Sequence, residues 1–373
     1  MREMLESKKK ELSSTSTSDT NEHGLDLMGA MIKGSGILSN STQQTEKKMM
    51  TANGDTTKVA SGAGLTQDEI MGNAFVFMLA GHETAANVIH FSLVFLAMHP
   101  STQRHLQTSL DETLPSSDSR TWDYDRDLPH LFGGMAAAVM NETLRLIPPV
   151  LSIPKSVTVE KDQPININGK QCLAPRGAFL SLTAAAAHRN PKYWPAGKPR
   201  EGRPVHPTSN TDNDLEEFKP ERWLRDGNVS GHASENEGYD EKETSELGVN
   251  TAADTAASLF HPKRGAYVPF SEGYRACLGR RFAQVEILAT LAVIFATHSV
   301  ELDVSEWVSD EELERLRKED DMEELKQIWQ KAEDKTEWML REGMGTIITI
   351  QMRKGTVPLR FVKRGEERFR GVI

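Results

Sequence analysis

The stretch VPFSEGYRACLGRRFA, residues 268–283, places Cys277 between two glycines, with arginines on both sides. The cysteine follows a glycine-bearing loop and precedes a predicted helix, where free backbone N–H groups and the helix dipole favour a thiolate. Arg275 adds a positive charge nearby. A thiolate held in this way is a nucleophile, a redox sensor or a metal ligand. A cysteine that only packs in a core does not explain Gly273 and Gly279.

Glycines at these positions allow the backbone to approach a bulky, flat group, and an aromatic ring nearby can shield the sulfur. The stretch resembles the cysteine loop of the cytochrome P450 superfamily, whose pattern is Phe-x-x-Gly-x-Arg-x-Cys-x-Gly. The matching residues are Phe270, Gly273, Arg275, Cys277 and Gly279. The resemblance implies heme b (iron protoporphyrin IX) with Cys277 as axial thiolate and Arg275 at a propionate. Phe270, Gly273 and Gly279 would then contact the cofactor.

A second match lies in a long apolar segment, which predicts a helix of roughly 30 residues that ends before Pro100. Residues 80–84, Ala-Gly-His-Glu-Thr, match the family's Ala-Gly-x-Glu/Asp-Thr. From the residues alone, two explanations are equal: a proton relay, or Thr84 bonded to a carbonyl one turn earlier with Glu83 facing water. The resemblance implies that Thr84 and Glu83 assist proton delivery to dioxygen.

A third match is Glu142-Thr-Leu-Arg145, the family's Glu-x-x-Arg. Side chains three positions apart share a helix face, so the two can form an ion pair, and a surface pair of this kind would contribute little. The segment FKPERW, residues 218–223, resembles the family's Phe-x-Pro-Glu-Arg-Phe/Trp, whose arginine completes a buried triad. The resemblance therefore implies a structural triad of Glu142, Arg145 and Arg222, with no catalytic role.

Two further segments agree with the family. His188-Arg-Asn-Pro191 resembles its His-Arg-Asp-Pro, with Asn190 in place of the acid. Pro149 to Lys155 follows the family's Pro-Pro segment, and Lys155 stands where many members carry an arginine for a propionate. A lysine can still pair with a propionate, as a point charge without bidentate geometry.

The remaining pattern predicts a mainly α fold with minor β sheets, and the resemblance implies the cytochrome P450 fold from its long central helix onward. The predicted helices include 131–146 and one that follows Cys277, strongly apolar and therefore buried. The predicted strands are three short pieces between 156 and 184, and two around Lys354-Gly355 that would form a closing hairpin. An acidic helical stretch, 308–329, is most simply a solvated face.

Residues 1–64 are polar and low in complexity, and predict a flexible, largely disordered segment with one short helix at 24–34. Residues 65–365 are the expected heme domain, with polar insertions at about 196–216 and 226–260 that predict surface loops. Only about 65 residues precede the long helix, fewer than the family's N-terminal portion requires, so the chain is expected to be an N-terminally truncated member.

The composition excludes some classes of protein. A net charge of −10 argues against nucleic-acid binding, because phosphate contacts need a basic surface. Two cysteines are too few for a disulfide framework, and Cys172 is expected to be an inert small hydrophobe. A local basic cluster, formed by Lys263, Arg264, Arg275, Arg280 and Arg281, fits either a docking surface for an acidic flavoprotein or ordinary solvated residues.

The resemblance implies a monooxygenase that inserts one atom of dioxygen into an apolar organic substrate, with electrons from an NADPH-dependent flavoprotein reductase. The alternatives are a heme-thiolate isomerase or lyase, against which the Glu83-Thr84 pair argues, and a truncated remnant that cannot hold heme. By resemblance, the full-length protein is expected at the endoplasmic reticulum membrane, on its cytosolic face. Membrane contact is expected for that full-length protein only.

Overall fold

The computed structural model describes residues 1–14, 26–35, 48–50, 56–58, 64–200, 212–224 and 258–372. The structure does not describe residues 201–211 and 225–257, which include most of the two predicted insertions. The chain forms two compact units, Met1–Glu83 and Thr84–Ile373. Each unit is described by itself below.

The first unit contains more regular structure than the sequence predicts. Helix α1, Arg2–Ser14, was not expected; α2, Leu27–Ser35, corresponds to the single predicted helix. Strands β1, Lys48–Met50, and β2, Thr56–Lys58, pair antiparallel. The reason for α1 is a sparse apolar stripe in a charged segment: Leu5 is fully buried with Ile32 and Ile70.

The long helix α3 spans Gln67–Met98, as the sequence predicts. It begins at a capping box, in which the Thr66 backbone N–H donates to Glu69 Oε2 (2.8 Å) and the Glu69 N–H donates to Thr66 Oγ1 (3.3 Å). From Val88 onward its apolar side chains enter the core of the second unit. Among the described helices, none is long and apolar enough to span a membrane.

The second unit is built around α6, Met135–Leu146, whose twelve residues are all buried. The other helices here are α4 (Pro100–Thr113), α5 (Tyr124–Gly133), α7 (Ala184–Ala187), α8 (Arg280–Thr297), α9 (Asp310–Glu319) and α10 (Met322–Glu342). The predicted helix 131–146 is in fact two helices, because the chain is extended at Gly134 (φ −109°, ψ −166°). The acidic stretch forms α9 and the start of α10, with its charges mostly exposed.

The described strands of this unit form two-stranded antiparallel sheets. They are β3 (Ser152–Ser156) with β6 (Phe179–Thr183), β4 (Gln163–Ile167) with β5 (Lys170–Ala174), β7 (His298–Leu302) with β10 (Leu359–Lys363), and β8 (Met344–Thr346) with β9 (Ile350–Met352). The first predicted strand lies earlier than expected, since β3 ends at Ser156 where the prediction began.

The predicted closing hairpin around Lys354-Gly355 is wrong. Strand β9 pairs with β8 before it, and β10 pairs with the distant β7. The physical reason lies after Met352, where the backbone N–H groups of Arg353 (2.7 Å) and Lys354 (3.0 Å) both donate to the carbonyl of Gly343 at the end of α10. These bonds turn the chain away from β9, so the two flanking strands cannot meet.

Candidate functional site

The Cys277 loop, defined here as residues 268–279, is held by its own backbone. The Cys277 N–H donates to the carbonyl of Phe270 (2.8 Å), and the N–H of Ser271 donates to that of Val268 (3.1 Å). Ser271 (φ 61°) and Gly273 (φ 78°) both have a left-handed backbone conformation. A side chain makes this conformation sterically unfavourable at Ser271, whereas glycine adopts it without strain. The loop thus presents Cys277 on its surface, where the thiol is exposed.

Gly279 has a different explanation. Its φ of −85° suits any residue, and a Cβ built on it would meet no described atom within 4 Å. Neither backbone conformation nor packing against the described chain therefore requires glycine at this position. A group that approaches the loop from outside would require it, which is the fit expected for a flat cofactor.

Two large apolar side chains that follow Cys277 in the sequence are exposed. Leu278 is 84% exposed, and Phe282, in the first turn of α8, is 75% exposed. The predicted burial of this helix is therefore wrong for its first turn, while the later residues Ile287, Leu288, Leu291, Ala292 and Phe295 are in the core. Exposed large apolar side chains beside a thiol fit an apolar, flat ligand.

Positive charge also lies in this loop. Arg275 is exposed, and no hydrogen bond or ion pair joins its side chain to the described part of the chain. Arg280, by contrast, packs against the loop: its guanidinium carbon is 6.0 Å from the centre of the Phe270 ring. The loop can therefore offer Arg275 to an anionic group such as a carboxylate.

The other predicted cofactor and catalytic residues lie on separate elements. Glu83 and Thr84 are adjacent in α3, and both are partly exposed. Lys155 is half-buried in β3, opposite Leu180 of β6. Their roles toward a cofactor stay predictions.

Glu142 and Arg145 lie on one face of α6 and are both completely buried. Arg145 Nε donates to Glu142 Oε2 (2.7 Å), and Nη2 donates to Oε1 (2.8 Å), a bidentate ion pair. The remaining Arg145 hydrogens donate to backbone carbonyls of His188 (3.1 Å), Leu215 (2.7 Å) and Glu217 (3.3 Å). All five N–H donors of this guanidinium are thus satisfied.

Arg222 joins the same carboxylate. Its Nε donates to Glu142 Oε1 (2.9 Å), and its Nη2 donates to the carbonyl of Asp214 (2.9 Å). Glu142 also accepts from the Trp223 indole N–H (2.9 Å) and the Lys219 backbone N–H (3.0 Å). The structure therefore brings the three predicted triad residues together in a fully hydrogen-bonded cluster.

Asp214 is a member of this cluster that the sequence analysis missed. It is 1% exposed, and its Oδ1 lies 3.6 Å from Arg222 Nη1. It belongs to the first polar insertion, which was predicted to be a surface loop, yet residues 213–215 are buried. The loop is drawn inward because Arg145 and Arg222 need acceptors there. No periodicity marks Asp214, so sequence pattern carried no signal for it.

The cluster settles the charge state of Glu142. Burial by itself would raise the pKa of Glu142, but the guanidiniums of Arg145 and Arg222 hold the pKa below its ordinary value. With Asp214 included, two buried carboxylates face two buried guanidiniums, and the half-exposed Lys219 ammonium also pairs with Asp214 (3.0 Å). Loss of one partner would leave the others uncompensated in the core.

We expect Glu142→Gln to lower the free energy of unfolding by about 3–5 kcal/mol, because two buried guanidiniums lose their counter-charge. Urea unfolding followed by circular dichroism measures this. The matched control is Glu312→Gln, which removes an exposed partner of Arg315 and is expected to change little. Equal effects of the two variants would contradict the assignment of Glu142 as a buried structural anchor.

A second prediction concerns His188, which is completely buried. Burial lowers its pKa to about 4 from an ordinary 6.5. Between these pH values the unfolded chain takes up a proton on His188 that the folded chain does not, so folding stability falls as pH decreases from about 6.5 toward 4. We expect His188→Gln to have a shallower loss of unfolding free energy across this range than the natural chain. An identical pH slope would contradict this prediction.

Comparisons with known proteins agree with the sequence resemblance. The cytochrome P450 family profile matches residues 1–322. A cytochrome P450 monooxygenase of Arthrobotrys oligospora is 33% identical over 72% of this chain and 42% of its own length. Cytochrome P450 3A5 of Homo sapiens is 27% identical over 74% of this chain and 39% of its own. A crystal structure of a cytochrome P450 superposes with a TM-score of 0.49 at 20% identity, covering 82% of this chain and 48% of that one. The chain thus spans about two fifths of the length of the curated relatives it matches.

Proposed function

Because the chain belongs to the cytochrome P450 family, we propose that it is a heme-thiolate monooxygenase that inserts one atom of dioxygen into an apolar organic substrate. The mainly α fold with small sheets that the sequence predicts is confirmed. The observation that carries the proposal is the Cys277 loop, where an exposed thiol is followed in the sequence by the exposed apolar residues Leu278 and Phe282. When bound to such a thiolate, heme supplies the activation of dioxygen.

In this proposal the Cys277 thiolate would hold the iron of heme b. Its N–H bond to the Phe270 carbonyl fixes the cysteine backbone, and Gly273 and Gly279 let the loop approach the porphyrin. Phe270 shields the sulfur side of the loop. Arg275, which is exposed, would pair with a heme propionate, and Lys155 would help to hold the propionates.

Glu83 and Thr84 are proposed to move protons. A carboxylate and a hydroxyl adjacent in one helix could hold water and move a proton from solvent toward the site where heme would activate dioxygen, which an apolar helix face could not do. The pair supports oxygen chemistry over an isomerase or lyase, which needs no proton delivery to dioxygen.

A redox partner is also part of the proposal: an NADPH-dependent flavoprotein reductase. The basic cluster that could receive it is less uniform than its sequence suggests. Arg264 lies 3.8 Å from Glu272, and the Arg281 guanidinium stacks 3.7 Å from the centre of the Phe132 ring. Lys263 remains as an exposed charge for an acidic partner, since Arg275 is assigned to a propionate. By family resemblance we propose that the protein acts at the endoplasmic reticulum membrane.

The test is heme binding by the full chain. We expect the natural chain, reconstituted with heme and reduced under carbon monoxide, to give the Soret band of a thiolate-ligated ferrous adduct. Cys277→Ala abolishes this band because the axial ligand is lost.

Cys172→Ala is the matched control. Cys172 is half-buried in β5 opposite Ile165, and its removal is expected to leave the band intact. The opposite pattern would overturn the ligand assignment, and no thiolate-type band in the natural chain would overturn the proposed function.

A further inference from the structure

Three consecutive residues lead into the Cys277 loop, and each forms a hydrogen bond with a residue that lies next to the triad. This anchor segment is residues 266–268. The Trp194 indole N–H donates to the Ala266 carbonyl (3.1 Å), the Tyr267 hydroxyl donates to Asn141 Oδ1 (3.1 Å), and the Val268 N–H donates to His188 Nε2 (2.9 Å). The start of the loop is therefore fixed to the protein core at every residue.

The partners of the anchor segment contact the triad themselves. Asn141 precedes Glu142 on α6, and Trp194 lies 5.4 Å from the Arg145 guanidinium carbon. Trp194 also packs edge-on against Trp223, with ring centres 5.3 Å apart. The buried charges and the loop thus share one layer of intermediate side chains.

His188 is the partner with the most direct connection. Its Nδ1 lies 3.2 Å from the Arg145 carbonyl and its own carbonyl accepts from Arg145 Nη1 (3.1 Å), so the two residues are bonded in both directions. An imidazole that donates from Nδ1 to a carbonyl keeps Nε2 as an acceptor, which the Val268 N–H requires. The neutral tautomer therefore satisfies both neighbours, and a protonated ring would lose the acceptor.

The position of Val268 is transmitted along the loop. Pro269 follows it, and a proline restricts the backbone of the residue before it. The Val268 carbonyl accepts a hydrogen bond from the Ser271 N–H (3.1 Å). Two residues further on, the Phe270 carbonyl accepts a hydrogen bond from the Cys277 N–H (2.8 Å). A shift at Val268 would accordingly displace the cysteine.

We propose that His188 is a positioning residue that couples the Glu142–Arg145 pair to the Cys277 loop by accepting the Val268 N–H. It acts through Val268 and touches no reacting atom. The role rests on the proposed function of Cys277 as the heme ligand, while the coupling itself is a property of the chain without cofactor.

Two amide variants separate this coupling from general packing. In His188→Gln, the side-chain oxygen reaches the position of Nε2 and can accept from Val268. In His188→Asn, the shorter amide can still donate to the Arg145 carbonyl but leaves Val268 N–H unpaired. Hydrogen–deuterium exchange of the full chain without heme, followed by mass spectrometry of peptides covering 264–279, measures the loop, and a peptide from α8 reports the core.

We expect His188→Asn to raise exchange in the loop about tenfold, with α8 unchanged, because one buried hydrogen bond is lost. His188→Gln is expected to stay within about twofold of the natural chain. After heme is added, His188→Asn is expected to convert part of the ferrous carbon monoxide adduct from the thiolate-type Soret band to one without thiolate ligation.

The control is His99→Asn, which alters another histidine, whose Nδ1 lies 2.8 Å from the Phe95 carbonyl. It is expected to leave loop exchange unchanged. Equal loop exchange in the Gln and Asn variants, or a rise that matches the rise in α8, would overturn the proposal. If the natural chain gives no thiolate-type band while loop exchange follows the expected pattern, the proposed function fails and the coupling stands.

Discussion

The buried ion pair of Glu142 and Arg145 is the interaction on which the second unit depends. A guanidinium in a dry interior is tolerated only if each hydrogen finds an acceptor, and here three of the five acceptors are backbone carbonyls of residues 188–217. These carbonyls belong to residues outside the strands and helices. The Arg145 guanidinium thus holds, by hydrogen bonds, segments of chain that belong to no sheet or helix. These segments in turn support the cysteine loop.

How much of this arrangement the sequence predicts depends on how local the signal is. The capping box of α3 and the three-residue spacing of Glu142 and Arg145 are local patterns, and the structure has both as expected. Arg222 is 77 residues from Arg145 and could be connected to it only through a family resemblance. Asp214 and Trp223 complete the cluster through tertiary contacts, for which no spacing rule exists.

The errors have the same origin. Strands β7 and β10 are far apart in sequence, so the turn chemistry at Lys354-Gly355 suggested the nearer and wrong partner. The helix α8 has a strongly apolar sequence that looks like core, yet Phe282 in its first turn is exposed because no residue in the described ranges covers it. Apolar character in a sequence predicts burial but does not say whether protein or ligand provides it.

The reason that Gly279 would be retained in evolution differs from the reason that the buried residues would be retained. Glu142, Arg145 and Arg222 are required by folding, so any descendant of this chain that still folds must retain them or compensate. Gly279 has an unstrained backbone and open space around its α-carbon. A lineage that ceased to use the cofactor could accept alanine there without loss of stability. Residue 279 is therefore a place where relaxed selection on chemistry would become visible while selection on the fold persists.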